Sequence, residues 1–131
     1  MASYGFNTEG TTIVSDFSSQ VNGRTFLITG SSQGGLGAET AISLAHGAPS
    51  MILLLGRSLP KIQPTIDYIH AINAAIVTKF IPINLDSLSS VRATASNILN
   101  DQSITHIDVM INNAAIMACP VRLRPTHFLL P

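Results

Sequence analysis

The sequence predicts an α/β fold in which helices cover a parallel, doubly wound sheet. Four short segments predict strands: apolar runs at residues 25–29 and 51–55, a third strand within residues 75–83, and a fourth at residues 107–111, none with the regular polar–apolar alternation of a half-exposed strand. Strands of a parallel sheet are buried on both faces, so they read as continuous apolar runs. Helical periodicity fills the segments between them. Right-handed crossovers then give the element order βαβαβαβ and the strand order 3-2-1-4, which is an incomplete doubly wound sheet.

Length and composition fit one folded domain and exclude several classes of protein. Of the 131 residues, 46% are hydrophobic and 11% charged, which excludes a disordered chain. Seven basic and seven acidic residues cancel, so no basic face is available for nucleic acid. The single cysteine, Cys119, excludes an intrachain disulfide, and the four histidines lack metal-ligand spacing. No apolar run has membrane-spanning length, and the N-terminus lacks the basic and apolar regions of a signal peptide, so we expect a cytoplasmic protein without membrane contact.

Three helices are expected to connect the strands, after an irregular, polar lead-in at residues 1–22. The first should end at residues 46–49, and its inward positions are Leu36, Thr40, Ala41, Leu44 and Ala45. The second is capped by Ser58, and Pro64 favours a regular helix that begins near that proline. Its inward positions are Ile62, Ile66, Ile69 and Ile72. The third is capped by Asp86 or Ser87, with Leu88, Val91, Ala95, Ile98 and Leu99 facing inward.

A glycine-rich turn joins the first strand to the first helix. It reads TGSSQGGLG over residues 29–37. Glycines at such a turn let backbone N–H groups approach a pyrophosphate, and the helix N-terminus adds favourable partial charge. No Gly-Lys-Ser/Thr follows, which excludes a nucleoside-triphosphate loop. A tight turn without a ligand is the alternative, but its position between strand and helix favours a dinucleotide site of the Rossmann type.

Arg57 directly follows the second strand, 20 residues after Gly37. A dinucleotide fold places its ribose-reading residue at about this distance. An acid there would bind the 2′-hydroxyl of NAD, whereas a guanidinium matches the 2′-phosphate of NADP. Ser58 is close enough in sequence to reach the same phosphate. The alternative is a solvated loop arginine.

A third signal, Asn112-Asn113-Ala114-Ala115, ends the fourth strand. Ligands of open α/β sheets bind outside the carboxyl ends of the strands, although a lone tetrapeptide of this kind can also be a polar turn. Taken together, the three segments resemble the N-terminal half of a short-chain dehydrogenase/reductase, and most of all the fungal members. The family pattern has Thr-Gly-x-x-x-Gly-x-Gly, then Asp-Leu after strand 3, then Asn-Asn-Ala-Gly. The corresponding segments are TGSSQGGLG, INLDSLSSVR and NNAA, and the resemblance covers about residues 20–119.

Three departures from the family pattern stand out. The glycine turn is one residue longer, the expected acid is Asn84 or is displaced to Asp86, and Ala115 replaces the last glycine. The resemblance implies an NADP-binding half-domain at residues 23–117, followed by an atypical tail at 118–131. The residues implied to hold the pyrophosphate and nearby ribose are Gly30, Ser31, Ser32, Gly35, Leu36 and Gly37. Arg57 would bind the 2′-phosphate and Asn84 the adenine amino group. Asn112 would lie along the adenosine ribose, and Asn113 would brace the sheet.

The resemblance also implies chemistry that these residues do not contain. The family interconverts alcohols and carbonyls with a serine, a tyrosine and a lysine four residues after the tyrosine, all beyond the asparagine motif. Here the only tyrosines, Tyr4 and Tyr68, precede that motif, and no Tyr-x-x-x-Lys occurs. We therefore expect a truncated, NADP(H)-dependent oxidoreductase that is inactive alone, with no catalytic or metal-binding residue.

Two other interpretations remain open. The chain could be a non-catalytic module that binds a dinucleotide, or one that pairs with itself or with a complete homologue. The tail VRLRPTHFLLP departs from the family pattern, as a frameshift, a missed splice or an internal deletion would produce. A part in fungal secondary metabolism is a hypothesis from the same resemblance.

Overall fold

A computed structural model describes residues 3–120, which contain a four-stranded parallel sheet. The strands are β1 Thr25–Thr29, β2 Met51–Gly56, β3 Val77–Pro82 and β4 Val109–Ile111. Their order across the sheet is β3-β2-β1-β4, which confirms the predicted fold class and topology. The greater part of the predicted tail, from residue 121 onward, lies outside the described residues.

Five helices occur among residues 3–120: α1 Gly10–Asp16, α2 Ser18–Val21, α3 Leu36–Ala45, α4 Leu59–Ile72 and α5 Leu88–Asn100. The last three are the predicted crossovers. α4 begins at Leu59 rather than near Pro64, so the expectation for its start was wrong. Pro64 removes only the hydrogen bond to the Pro60 carbonyl, which lies in the exposed first turn, and Pro60 itself suits that turn.

The expectation of irregular structure before β1 was wrong, because the helices α1 and α2 form there. Each short helix buries one apolar side chain, Val14 or Val21, whose exposed fractions are 8% and 6%. Both valines pack against Gly47, where a Cβ atom would lie within 3 Å of them. Such short helices are not stable by themselves, so their packing against the domain decides their conformation rather than their sequence pattern.

One face of the sheet is covered by α3 and α4. Phe26 and Ile28 of β1 and Ile52 and Leu54 of β2 pack there against a buried set of helical side chains. That set consists of Ala41, Leu44, Ala45, Ile62, Ile66 and Ile69. Most of the predicted inward positions are therefore confirmed. Leu36 is an exception, because its side chain is 82% exposed at the start of α3.

The opposite face is covered by α5 and is less completely buried. Leu27, Leu53, Leu55 and Ile83 form its core, and Val91 and Ile98 of α5 are half-buried against it. The expected inward positions Leu88, Ala95 and Leu99 are wrong, since all three are exposed. Thr94 faces the sheet instead: it is 4% exposed, and its hydroxyl donates a hydrogen bond of 2.9 Å to the Pro82 carbonyl.

The fourth strand begins at Val109 and not at residue 107 as predicted, and Asp108 lies directly before it. Its carboxylate accepts a hydrogen bond of 2.8 Å from the Thr25 N–H and lies 3.1 Å from His106 Nε2. The Thr25 N–H, followed by the charges of His106 and Arg24, holds the pKa of Asp108 below its usual range. This contact fixes the first residue of β1 beside the start of β4.

A second carboxylate, Asp101, makes the stability of the chain sensitive to acid. The Lys79 ammonium lies 2.8 Å from it, and Ser103 donates two hydrogen bonds to it. Lys79 first and Ser103 second lower the pKa of Asp101 to about 2. Since the folded pKa lies below the unfolded value of ~3.9, the stabilisation is complete above that value and is lost as the pH falls towards 2.

We expect Asp101→Asn to lower the urea midpoint at pH 5, and the difference from the unmutated chain to shrink as the pH approaches 2. Urea titrations at both pH values measure this. Asp86→Asn is the matched control, since it removes an exposed carboxylate that forms no ion pair within residues 3–120. A difference for Asp101→Asn that stays constant with pH would contradict the expectation.

None of the five helices described within residues 3–120 has the length and apolar character needed to cross a membrane.

Candidate functional site

The glycine-rich turn lies at the carboxyl end of β1, between its two neighbours β2 and β4. Gly30 and Gly34 have φ angles of +74° and +82°, which side chains disfavour. At Gly30 a Cβ atom would also lie 2.9 Å from Ala114 Cα. At Gly37 it would overlap the Gly30 carbonyl oxygen. Gly30 and Gly37, which have no side chain, therefore allow the turn, the start of α3 and the asparagine segment to approach one another closely.

Asn113 fastens the asparagine segment to the turn. Its Nδ2 atom donates hydrogen bonds of 3.1 Å to the carbonyls of both Thr29 and Gly30. The Ala114 N–H donates a third bond, of 3.0 Å, to the Thr29 hydroxyl. Asn113 thus braces the ends of β1 and β4, and its amide nitrogen is occupied by protein. Sequence reasoning overlooked Thr29, although a hydroxyl residue directly before the first turn glycine was a signal for such a bond.

The two serines of the turn differ in orientation. Ser31 is fully buried and its hydroxyl points towards the Ile28 carbonyl at 3.4 Å. Ser32 is exposed. Only Ser32 therefore offers a hydroxyl to a ligand, whereas Ser31 could contribute through its backbone alone.

The first turn of α3 offers unpaired donors. Gly35 is its N-cap and supplies no side-chain bond. Among residues 3–120, no acceptor pairs with the N–H groups of Leu36, Gly37 or Ala38, and the first bond of the helix runs from the Glu39 N–H to the Gly35 carbonyl. Unpaired N–H groups and the positive end of the helix dipole favour an anion at this point.

Arg57 lies next to the turn, because the Gly30 N–H donates a hydrogen bond of 3.1 Å to the carbonyl of Leu55 in β2. Its side chain is exposed. The ion pairs of the described residues join Lys79 to Asp101 and His106 to Asp108. Within that part of the chain, Arg57 therefore has no carboxylate partner and is available to an anionic ligand.

Asn84 follows β3 at the same edge of the sheet. Its side-chain oxygen accepts a hydrogen bond of 3.1 Å from the Asp86 N–H, and its own N–H donates one of 2.9 Å to the Ser90 hydroxyl. The residue is exposed. An amide oxygen accepts two hydrogen bonds, so one position remains for a ligand.

The strand order places the predicted site residues in a row. From one side of the sheet to the other they are Asn84 after β3, Arg57 after β2, the turn after β1, and Asn112 after β4. Neighbouring strands lie ~4.8 Å apart, so the row is ~14 Å long. Asn112 is exposed at its end. The arrangement can bind an elongated ligand that carries phosphate near its middle.

Comparisons with known proteins show the family of this chain. The family model described as short chain dehydrogenase matches residues 24–128. The chain belongs to the short-chain dehydrogenase family. As a family member it is similar to the curated protein "Oxidoreductase fscI" of Fusarium equiseti, with 31% identity over 115 residues. That match covers 88% of this chain and 44% of the relative.

Other family members cover similar parts of the chain. "Short-chain dehydrogenase/reductase prx1" of Penicillium roqueforti is 35% identical over 97 residues, which are 74% of this chain and 26% of that protein. The WW domain-containing oxidoreductase of Drosophila melanogaster is 37% identical over 102 residues, which are 76% of this chain and 24% of that protein. This short-chain dehydrogenase therefore spans less than half the length of the curated relatives that it matches here.

Solved structures share its fold. A short-chain dehydrogenase from Sphingobium yanoikuyae, determined in complex with NADPH, superposes with a TM-score of 0.61 at 21% identity. The match covers 79% of this chain and 38% of that one. A short chain dehydrogenase from Salmonella enterica serovar Typhi gives a TM-score of 0.63 at 23% identity, and the match covers 73% of this chain and 38% of that one. At these identities the likeness shows the fold alone.

Proposed function

We propose that this chain binds NADP(H) along the carboxyl edge of the sheet, as the cofactor part of an oxidoreductase. The observation that carries the proposal is the row of Asn84, Arg57, the glycine turn and Asn112. A dinucleotide is an elongated molecule with a phosphate-rich centre, and the order of these groups matches it. The adenine would lie near Asn84 and the pyrophosphate at the turn.

The turn fits a pyrophosphate because it combines close backbone approach with free donors. Gly30 and Gly37 leave no room for a side chain, and the N–H groups at the start of α3 have no partner within residues 3–120. Charge-assisted hydrogen bonds from backbone N–H groups to phosphate are roughly twice as strong as neutral ones. Ser32 adds an exposed hydroxyl beside these donors.

Arg57 supports a preference for NADP over NAD. A guanidinium binds a 2′-phosphate with two parallel hydrogen bonds, whereas the 2′-hydroxyl of NAD needs an acceptor such as a carboxylate. Within residues 3–120, no carboxylate forms an ion pair with Arg57. Ser58, the N-cap of α4, makes no capping bond with its own hydroxyl and could join the same phosphate.

When bound, the nicotinamide ring of such a cofactor supplies or accepts a hydride. We propose that these 131 residues alone do not complete that reaction, since no Tyr-x-x-x-Lys is present to exchange a proton with the substrate oxygen. Their own contribution is to bind and orient the dinucleotide. The cytoplasmic location and the part in fungal secondary metabolism stay predictions.

Arg57→Asp tests the proposal. We expect the unmutated chain to bind NADPH more tightly than NADH, by roughly ten-fold or more, because a hydrogen bond to a charged group contributes about 1.5–3 kcal/mol. Arg57→Asp should abolish or reverse that preference. Calorimetric titration with both cofactors measures it.

The matched control is Arg92→Asp, which makes the same charge change at an exposed position of α5. It should leave the ratio of the two affinities unchanged. Equal affinities of the unmutated chain for NADPH and NADH would overturn the preference, and binding of neither cofactor would overturn the proposed function.

A second candidate function is association with another polypeptide, either a second copy or a complete homologue. β4 pairs only with β1 within residues 3–120, and its central residue, Met110, is 57% exposed. An apolar strand with one unpaired edge is a template for strand addition. This role does not exclude cofactor binding, because the edge of β4 and the glycine turn are different surfaces.

A further inference from the structure

The side of the glycine turn opposite Asn113 rests on α4. The Gln33 N–H donates a hydrogen bond of 2.9 Å to the Lys61 carbonyl. The Thr65 hydroxyl donates one of 3.0 Å to the Ser31 carbonyl. Positions 61 and 65 lie one helical turn apart and therefore on one face of α4. α4 thus holds the turn at two residues, Ser31 and Gln33.

The bond between Thr65 and Ser31 lies outside the reach of water. Thr65 is 1% exposed and Ser31 is fully buried. A buried carbonyl that loses its donor destabilises the conformation in which it is held. Little else supports the turn on this side, because a groove of about 510 Å³ separates Gly34 and Gly35 from Tyr68 of α4.

The length of the turn makes such an anchor important. TGSSQGGLG has one residue more than the family pattern described above, and a longer flexible segment has more conformations to restrict. The first of the free N–H groups, that of Leu36, follows Gln33 by three positions, across the two glycines Gly34 and Gly35. Their direction therefore depends on where Ser31 and Gln33 are held.

We infer that Thr65 is a positioning residue for dinucleotide binding, because its hydroxyl fixes the Ser31 carbonyl and thereby aims the following N–H groups at the pyrophosphate. The inference rests on the proposed function. The Thr65 hydroxyl is bonded to the Ser31 carbonyl and Thr65 is 1% exposed, so we assign its effect to the turn and not to direct contact with the ligand. Its effect should therefore fall on the phosphate-binding turn and spare the region of Arg57.

Thr65→Val and Thr65→Ser, made in the full chain, separate the hydroxyl from the packing. Thr65→Val keeps the shape and removes the donor, and we expect it to bind NADPH about ten-fold more weakly. Thr65→Ser keeps the donor and should bind NADPH nearly as the unmutated chain does. Adenosine 2′-monophosphate, which carries the 2′-phosphate but no pyrophosphate, should bind all three chains alike.

Amide hydrogen exchange provides a readout without ligand. In Thr65→Val the Gln33 amide should exchange faster, while the amides of β2 keep their protection. Unchanged NADPH affinity in Thr65→Val would overturn the inference, and so would an equal loss of affinity for NADPH and adenosine 2′-monophosphate. If the unmutated chain bound neither molecule, the proposed function would fail. Even then, unchanged exchange at Gln33 in Thr65→Val would separately show that Thr65 does not hold the turn.

Discussion

A single methyl group on Gly30 is expected to lower the free energy of unfolding by roughly 3–5 kcal/mol and to abolish NADPH binding. Gly30 has a φ of +74°, which an alanine adopts only with strain. The added Cβ atom would also lie 2.9 Å from Ala114 Cα and 3.1 Å from Asn113 Nδ2. Neither neighbour can move away easily, because Asn113 Nδ2 is bonded to the Gly30 carbonyl and the Ala114 N–H to the Thr29 hydroxyl. Urea denaturation and NADPH titration of Gly30→Ala measure both effects.

Gly23→Ala is the matched control for this substitution. Gly23 has nearly the same φ, +72°, but no atom lies within 4 Å of the position of its Cβ. We expect Gly23→Ala to lower the free energy of unfolding by only about 1–2 kcal/mol, which is the cost of the left-handed conformation, and to bind NADPH as the unmutated chain does. Equal destabilisation by the two alanines would show that the close approach of the turn to Ala114 is not important for stability.

The second large effect concerns self-association. We expect the purified chain to associate as its concentration rises, because the edge of β4 is unpaired within residues 3–120 and its side chains are apolar. Leu88 and Leu99 of α5 add exposed apolar surface, with exposed fractions of 48% and 84%. A net charge of zero provides little repulsion to oppose contact between copies. Light scattering and analytical ultracentrifugation measure the assembly.

Met110→Lys should shift this equilibrium strongly towards the monomer, since a lysine on an edge strand prevents strand addition. Phe6→Lys is its control. It adds the same charge in place of a fully exposed apolar side chain, but in the segment before α1. A chain that stays monomeric at high concentration and unfolds in one sharp transition would contradict the expectation. Equal effects of the two lysines would show that β4 is not the surface involved.

The parts of the fold that could be predicted from the sequence are those that depend on composition over several residues. β1 and β2 have apolar centres without polar alternation because both of their faces are buried, so their parallel pairing could be predicted. The glycine turn and the asparagine motif were also expected at the carboxyl edge of the sheet, and both lie there. The bracing geometry of Asn113 follows from these two segments meeting at one edge.

Features decided by a single tertiary contact could not be predicted in this way. The buried face of α5 includes Thr94, which bonds to the Pro82 carbonyl, whereas hydrophobic periodicity favoured Leu88 and Leu99. The helices before β1 depend on Val14 and Val21 reaching a surface that is formed by later residues. Ser31 and Thr65 form a buried pair 34 residues apart, for which neither residue carries a local signal.

The bonds from Asn113 to Thr29 and Gly30 have a consequence for the order of folding. They join residues that are 84 and 83 positions apart, so a loop of nearly the whole domain must close before they form. β1 and β2, which α3 connects, can pair while the chain is being synthesised and before β4 is present. The glycine turn is therefore synthesised before β4 but reaches its final shape only after β4 has paired with β1, so cofactor binding at the turn would report on that pairing.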